Sequence, residues 1–306
     1  MKIFPLPLVV LLLAIAYGCH EKTSPANWAT LVNSPVPDNF KTYWYQGKAE
    51  INSYRLEQSR YGENRSGDAI LVFVTEDFSK SKQVKLDDPS KAGKDKVSVM
   101  KLNAIRKFKT GIYDYSMMQS TFTPVEVQEF PHSLKSTTSS QEWCGHTFTQ
   151  LNLENKDFKI REFSYFESEG DKIYTTPKVL LEDELWTRIR INPGSIPTGT
   201  ADLLPGGIHA RLGHGELKPK KARIQLEKGQ GQSKLIVEYL HFDRTLVIDF
   251  ETGFPHRILS WSEDNGKGRF GGGLTKASLR KSIKSAYWSK NSNAFAGLRD
   301  TLQLSY

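Results

Sequence analysis

Glu142, Cys144 and His146 stand at alternate positions in TTSSQEWCGHTFTQL (residues 137–151), and acid, thiol and imidazole are the side chains from which nucleophilic and metal sites are made. Read as one strand, the stretch puts all three on one face, because side chains alternate with period two. Their Cα atoms would then stand about 6.6 to 6.8 Å apart. A thiolate–imidazole dyad needs converging side chains and an oxyanion site, which that spacing does not ensure. The same residues fit a strand with Trp143 and Phe148 on one side, Cys144 on the other and a bulge at Gly145. Cys144 would then be a small buried hydrophobe. As metal ligands the three lack company: His209, His214, His241 and His256 show neither zinc-finger nor His-Glu-x-x-His spacing. No metal and no cofactor is expected.

Other chemical signals have plainer readings. GKGRFG (266–271) matches G-x-G-x-x-G, but opens no helix of a βαβ unit and runs into Gly272-Gly273, so it reads as a loop. Neither a Walker A sequence nor a G-x-S-x-G elbow occurs. His209 and His214, in HARLGHGE, are five apart, which suits one face of neither helix nor strand. Asp87-Asp88 and Glu182-Asp183-Glu184 read as charge on a loop and a helix face.

The N-terminus sets the compartment. Lys2 precedes an apolar run from Ile3 to Ala16 that contains Pro5 and Pro7 and is too short to span a bilayer. Residues 1–18 read as a signal peptide, and Ala16-Tyr17-Gly18-Cys19 resembles a lipobox whose Cys19 carries lipid. Ordinary cleavage after Ala16 is the alternative, and would leave Cys19 a thiol able to pair with Cys144. The net charge of +8 includes KPKKAR (218–223) and RKSIKSAYWSK (280–290). At a cell envelope such runs read as solvated basic faces, or as contacts to lipid headgroups or glycan, and nucleic acid is not an expected partner.

The elements that must position these residues are mostly strands. Residues 19–40 hold prolines at 25, 35 and 37 and read as a tether, and 41–306 form the folded body. Strands are predicted over 42–51, 53–61, 69–78, 97–108, 111–122, 158–166, 206–212, 222–229, 234–240, 244–250 and 256–263. One clear helix spans 178–191, capped by Thr176, with Pro177 at its start, acids in its early turns, arginines in its last and Asn192-Pro193-Gly194 as its stop. Leu181, Leu185 and Ile189 give it an apolar stripe to lay on a sheet. Residues 274–288 fit strand or helix, and 291–304 a terminal helix. The class is therefore mainly β: a large antiparallel curved sheet or partly open barrel with a packed helix, either one sheet or two tandem units dividing near 200.

YWYQGKAEINSYRLEQSRYGE, VFVTEDFSKSKQVKLD, TGIYDYSMM, TTSSQEWCGHTFTQLN and FSYFESEGD together resemble an uncharacterised family of Gram-negative lipoproteins commonly labelled "septum formation inhibitor Maf". That label does not transfer. True Maf proteins are cytosolic α/β pyrophosphatases with a Ser-x-Ser-Pro-Arg-Arg loop, which is missing here. The resemblance implies an envelope lipoprotein and supplies no catalytic residue. The expected role is a non-catalytic binding or carrier module, holding an apolar molecule between sheet and helix. The alternatives are an envelope enzyme using Cys144 and His146, or an assembly component that binds glycan or an envelope protein.

Overall fold

Alternating burial along long β-branched and aromatic runs drives this chain into one extended meander. The computed structural model describes residues 25–27, 35–267 and 272–305. The signal peptide, the lipobox with Cys19 and the middle of the Gly266–Gly273 loop lie outside them. Eight strands, β1 (Ala49–Arg60), β2 (Glu63–Ser79), β3 (Lys96–Thr110), β4 (Tyr113–Pro124), β5 (Lys135–Glu142), β6 (Gly145–Glu154), β7 (Asp157–Ser164) and β8 (Lys172–Pro177), pair each with the next. A second run, β9 (Leu180–Leu181), β10 (Gly199–Leu204), β11 (Lys220–Glu227), β12 (Gln232–Tyr239), β13 (Thr245–Glu251), β14 (Ile258–Asp264) and β15 (Leu274–Ser285), does the same. β15 pairs antiparallel with β1 and joins the runs into one 15-stranded sheet, antiparallel throughout except for β9 beside β10. The division expected near residue 200 falls at the start of β10, inside this sheet.

The two edges of the sheet are neighbours in sequence. β8 ends at Pro177 and β9 begins at Leu180. Three virtual bonds span at most about 11 Å, so the sheet must curl until its edges approach at a seam. It is not closed by hydrogen bonds. Leu151, Phe158 and Ile160 of β6 and β7 instead pack across the seam against Leu181, Leu204, Ala210 and Leu217. β9 itself is only two residues long, which leaves little open edge.

The meander also gives the sheet two distinct ends. The turns after β1, β3, β5, β7, β10, β12 and β14 lie at one, here the cleft end. The other is the entry end, where Pro25 bridges to Thr200 and α1 (Asn39–Trp44) docks Phe40 and Trp44 into the core. Helix α2 (Glu182–Ile191) runs from the first to the second through the interior, and all ten of its residues are buried. α3 (Gly207–Gly213) lies at the seam, and α4 (Leu298–Thr301) is one short terminal turn.

Several local expectations change. Residues 42–44 belong to α1 because Phe40 and Trp44 share one helical face, and the strand begins only at Ala49. TTSSQEWCGHTFTQL is two strands of a hairpin, not one strand. Thr176 and Pro177 close β8; the helix starts four residues after 178, where the Glu184 carboxylate accepts the backbone N–H of Leu181, the N-cap residue. Residues 207–213 are helical rather than extended. Residues 274–285 are a strand, held on both sides by β1 and β14. The terminal segment forms only α4 and a short 3-10 turn at Asn293–Phe295.

Candidate functional site

Helix α2 carries five charged side chains into the interior: strands distant in sequence pair with Glu182 and Arg190, while Glu184 and Arg188 pair with each other. Glu182 accepts from Arg244 Nε at 3.1 Å, from Arg244 Nη2 and from Tyr239 Oη at 2.7 Å. Arg190 makes a two-pronged pair with Glu50, at 2.7 and 2.8 Å. Burial alone would raise the Glu50 carboxyl, but the Arg190 guanidinium outweighs it and holds the group at about 2. Glu184 also sits at about 2, where Arg188 outweighs burial, and Glu263 at about 2, where Arg106 and Arg244 do so. Asp183 is different. It accepts only from Ser136 Oγ at 2.8 Å and the Gly207 N–H at 3.1 Å, and burial pushes its carboxyl up to about 7. His209, beside Arg244 at 3.1 Å, is driven down to about 4 by burial and then by that cation.

This cluster leaves about 20 Å³ of space against the sheet, room for about one water molecule. Among the described residues this is the space found between helix and sheet, where an apolar ligand was expected. The helix itself fills the barrel, packing Leu185, Trp186 and Ile189 into the core beside its buried charges.

The open site lies at the seam. Between β6, β7 and α3 there is a cleft of about 310 Å³, lined among others by Thr147, Thr149, Glu162, Ser164, Arg211 and His214. At its centre Glu169, on the loop after β7, accepts from the single nitrogen Arg211 Nη1 at both carboxylate oxygens, 2.9 and 2.8 Å, and lies 2.5 Å from His214 Nδ1. Ser164 Oγ also donates to Glu169. Burial would raise Glu169, yet Ser164, His214 and Arg211 together keep it below the usual carboxylate range. His214 reaches it because the residue ends α3 in the left-handed conformation, φ 52°. The Phe166 ring packs beneath Arg211 and edge-on to His214. One aromatic side chain in the lining, Phe163, is exposed.

Of the residues singled out by sequence, His214 lines this cleft, while Glu142, Cys144 and His146 are not among its lining residues. Cys144 is at the tip of the β5–β6 hairpin, exposed and a free cysteine among the described residues, which do not include Cys19. Glu142 and Cys144 do meet: the Cys144 N–H donates to Glu142 Oε2 at 2.7 Å, and the same carboxylate raises the thiol. His146 is exposed on β6 opposite Gln141, and among the described residues no hydrogen bond joins it to Cys144. Gly145 makes no bulge, since the register is continuous across it. Its lack of a side chain is required by Tyr165, whose ring atoms would stand 2.6 Å from a Cβ there. Successive hairpin tips at this end carry exposed apolar groups, Ile112 at 82%, Trp143 at 69% and Tyr165 at 68%. Among the described residues no group of three or more His, Cys, Asp or Glu side chains is placed to hold a metal ion.

Sequence reasoning named His214 but passed over Glu169 and Arg211. They are 42 positions apart, and no short motif links them.

No family model and no curated protein matches the sequence. Among solved structures, the chain is similar to the crystal structure of a beta-barrel-like protein of domain of unknown function DUF1849 from Brucella abortus. The match has 7% identity and a TM-score of 0.46, and it covers 77% of this chain and 96% of that one.

Proposed function

We propose that this chain is a non-catalytic binding module of the bacterial cell envelope, tethered through Cys19, whose seam cleft holds a carbohydrate chain. The observation that carries the reading is the cleft itself: about 310 Å³ of open, polar-lined space with the exposed Phe163 ring in its lining. A saccharide needs fixed donors and acceptors for its hydroxyls and an aromatic plane for its C–H face. Glu169, Arg211 and His214 supply the first, already locked by one another, and the Phe163 ring supplies the second. The volume suits one or two sugar rings of a longer chain.

Two other readings have less to stand on. A carrier of apolar cargo needs an interior that α2 already occupies. An enzyme built on Cys144 and His146 would need a stabilised thiolate, whereas Glu142 stabilises the neutral thiol.

The test is calorimetric titration of the full chain with a panel of neutral oligosaccharides, including N-acetylglucosamine and glucose tetramers. Binding is expected to at least one, and to weaken about tenfold in Phe163→Ala, the scale of one lost aromatic contact. Silence across the panel, or binding untouched by both Phe163→Ala and Arg211→Ala, would overturn the carbohydrate reading.

A further inference from the structure

We propose that a second depression, at the entry end of the sheet, binds a phosphate-type anion through Lys135 and Arg161. It is an open hollow of about 800 Å³ between the start of β5, the end of β6, β7 and the loop after β2. Four cations line it, Lys80, Lys82, Lys135 and Arg161, against one carboxylate, Glu154. That carboxylate is thinly spread, 3.8 Å from Arg161 Nη2 and 4.0 Å from Lys159 Nζ. Lys135 has less still. Its ammonium donates to the Gln83 carbonyl at 3.3 Å, and among the described residues no carboxylate lies within ion-pair distance of it.

The hollow is also built rather than incidental. Gln83, in the left-handed region at φ 52°, donates to the Leu153 carbonyl at 2.6 Å and accepts from Asn152 Nδ2 at 2.7 Å. Asn152 Oδ1 in turn accepts from Gln150 at 2.7 Å and from Arg161 Nη1 at 2.9 Å. This amide network fixes the Arg161 fork in place while Lys135 stands across from it. Partial burial and the neighbouring Arg161 charge both hold Lys135 below the usual lysine range. Two cations kept together against their own repulsion are relieved by an anion, and a tetrahedral oxyanion can accept from a fork and an ammonium at once.

Such an anion could arrive as free phosphate or as a phospholipid headgroup. The hollow is at the end of the sheet where Pro25 pairs with Thr200, and Cys19 is six residues before Pro25. A lipid on Cys19 could therefore stand at most about 20 Å from that pairing, so both sources are chemically open.

The experiment titrates inorganic phosphate into the full chain by calorimetry, and separately sediments the chain with phosphatidylglycerol and with phosphatidylcholine vesicles. Phosphate should bind, about tenfold more weakly to Lys135→Gln, the scale of one charge-assisted hydrogen bond, and normally to Lys135→Arg and to Lys94→Gln outside the hollow. If Lys135→Gln also releases the chain from phosphatidylglycerol vesicles while the phosphatidylcholine result is unchanged, the source is a headgroup. If only the phosphate titration responds, the source is the soluble ion. Lys135→Gln binding phosphate as the parent chain does, or a parent chain that takes up neither phosphate nor phosphatidylglycerol, would overturn the proposal.

Discussion

The guanidinium of Arg190 and the carboxylate of Glu50 lie wholly inside the protein, 2.7 and 2.8 Å apart at their two contacts, and tie the last turn of α2 to the first strand of the sheet. Tyr43 Oη and Asn52 Nδ2 add donors to Glu50, and Arg190 stacks over Trp44 and Phe73. Losing one partner strands a buried charge, whereas losing both does not. Glu50→Gln is expected to lower the unfolding free energy by about 3 to 5 kcal/mol, and Glu50→Gln with Arg190→Met to recover much of that loss. Urea unfolding of the two single variants and the double variant measures the coupling. A simple sum of the two single effects would show that the pair does not act as a unit.

Asp183 gives the protein a stability that falls as pH rises through neutrality. Its carboxyl is raised to about 7 by burial, so between roughly pH 4, the ordinary carboxylate range, and pH 7 the native state holds a proton that the unfolded chain has released. Stability from this group is complete below that window and is lost across it, by up to about 4 kcal/mol. Glu50, Glu184 and Glu263 act in the opposite direction: their stabilisation is present above the ordinary range and disappears as pH falls towards 2. Asp183→Asn keeps an acceptor for the Gly207 N–H and carries no charge. It should flatten the decline between pH 4 and 7 and leave the variant more stable than the parent at pH 8. Parallel curves of unfolding free energy against pH for the two proteins would contradict this.

The sheet was legible because each of its faces imposes a period of two. Alternation marked most strands to within a few residues, and Asn192-Pro193-Gly194 marked the end of α2 correctly. Three features were hidden. Glu182, Asp183, Glu184, Arg188 and Arg190 look like the solvated face of an amphipathic helix, and only partners such as Arg244 and Glu50 make them interior residues. The β5–β6 turn runs through Trp143-Cys144, with none of the Asn or Gly that announces a hairpin in its central positions. The seam cleft joins Glu169 to Arg211 and His214 through the curl of the sheet, which no local pattern encodes.

α3 reaches its place because Gly207 has no side chain. A Cβ there would come within 2.1 Å of Thr138 Oγ1 and 3.1 Å of Thr138 Cβ on β5. The same backbone donates to Asp183, so displacing α3 disturbs both the interior cluster and the cleft. Gly207→Ala is expected to cost about 1 to 3 kcal/mol by overpacking, and Thr138→Ala to restore most of it in the double variant. Thermal unfolding of the single and double variants checks this, and a Gly207→Ala variant as stable as the parent would show that α3 can shift at no cost.

Cys144 is reachable but slow. It projects from a hairpin tip, so an alkylating reagent meets no steric barrier, yet Glu142, first by its hydrogen bond and then by its charge, raises the thiol and lowers the share of thiolate at neutral pH. Iodoacetamide labelling of the folded protein at pH 7.5 should therefore be complete but slower than that of a free cysteine peptide, and should accelerate as pH is raised. Glu142→Gln removes the negative charge and should speed labelling several-fold, while His146→Ala should leave the rate unchanged, because imidazole and thiol share no hydrogen bond. A rate above that of the peptide, or one that drops in His146→Ala, would reveal an activated thiolate and return these three residues to the chemistry their spacing first suggested.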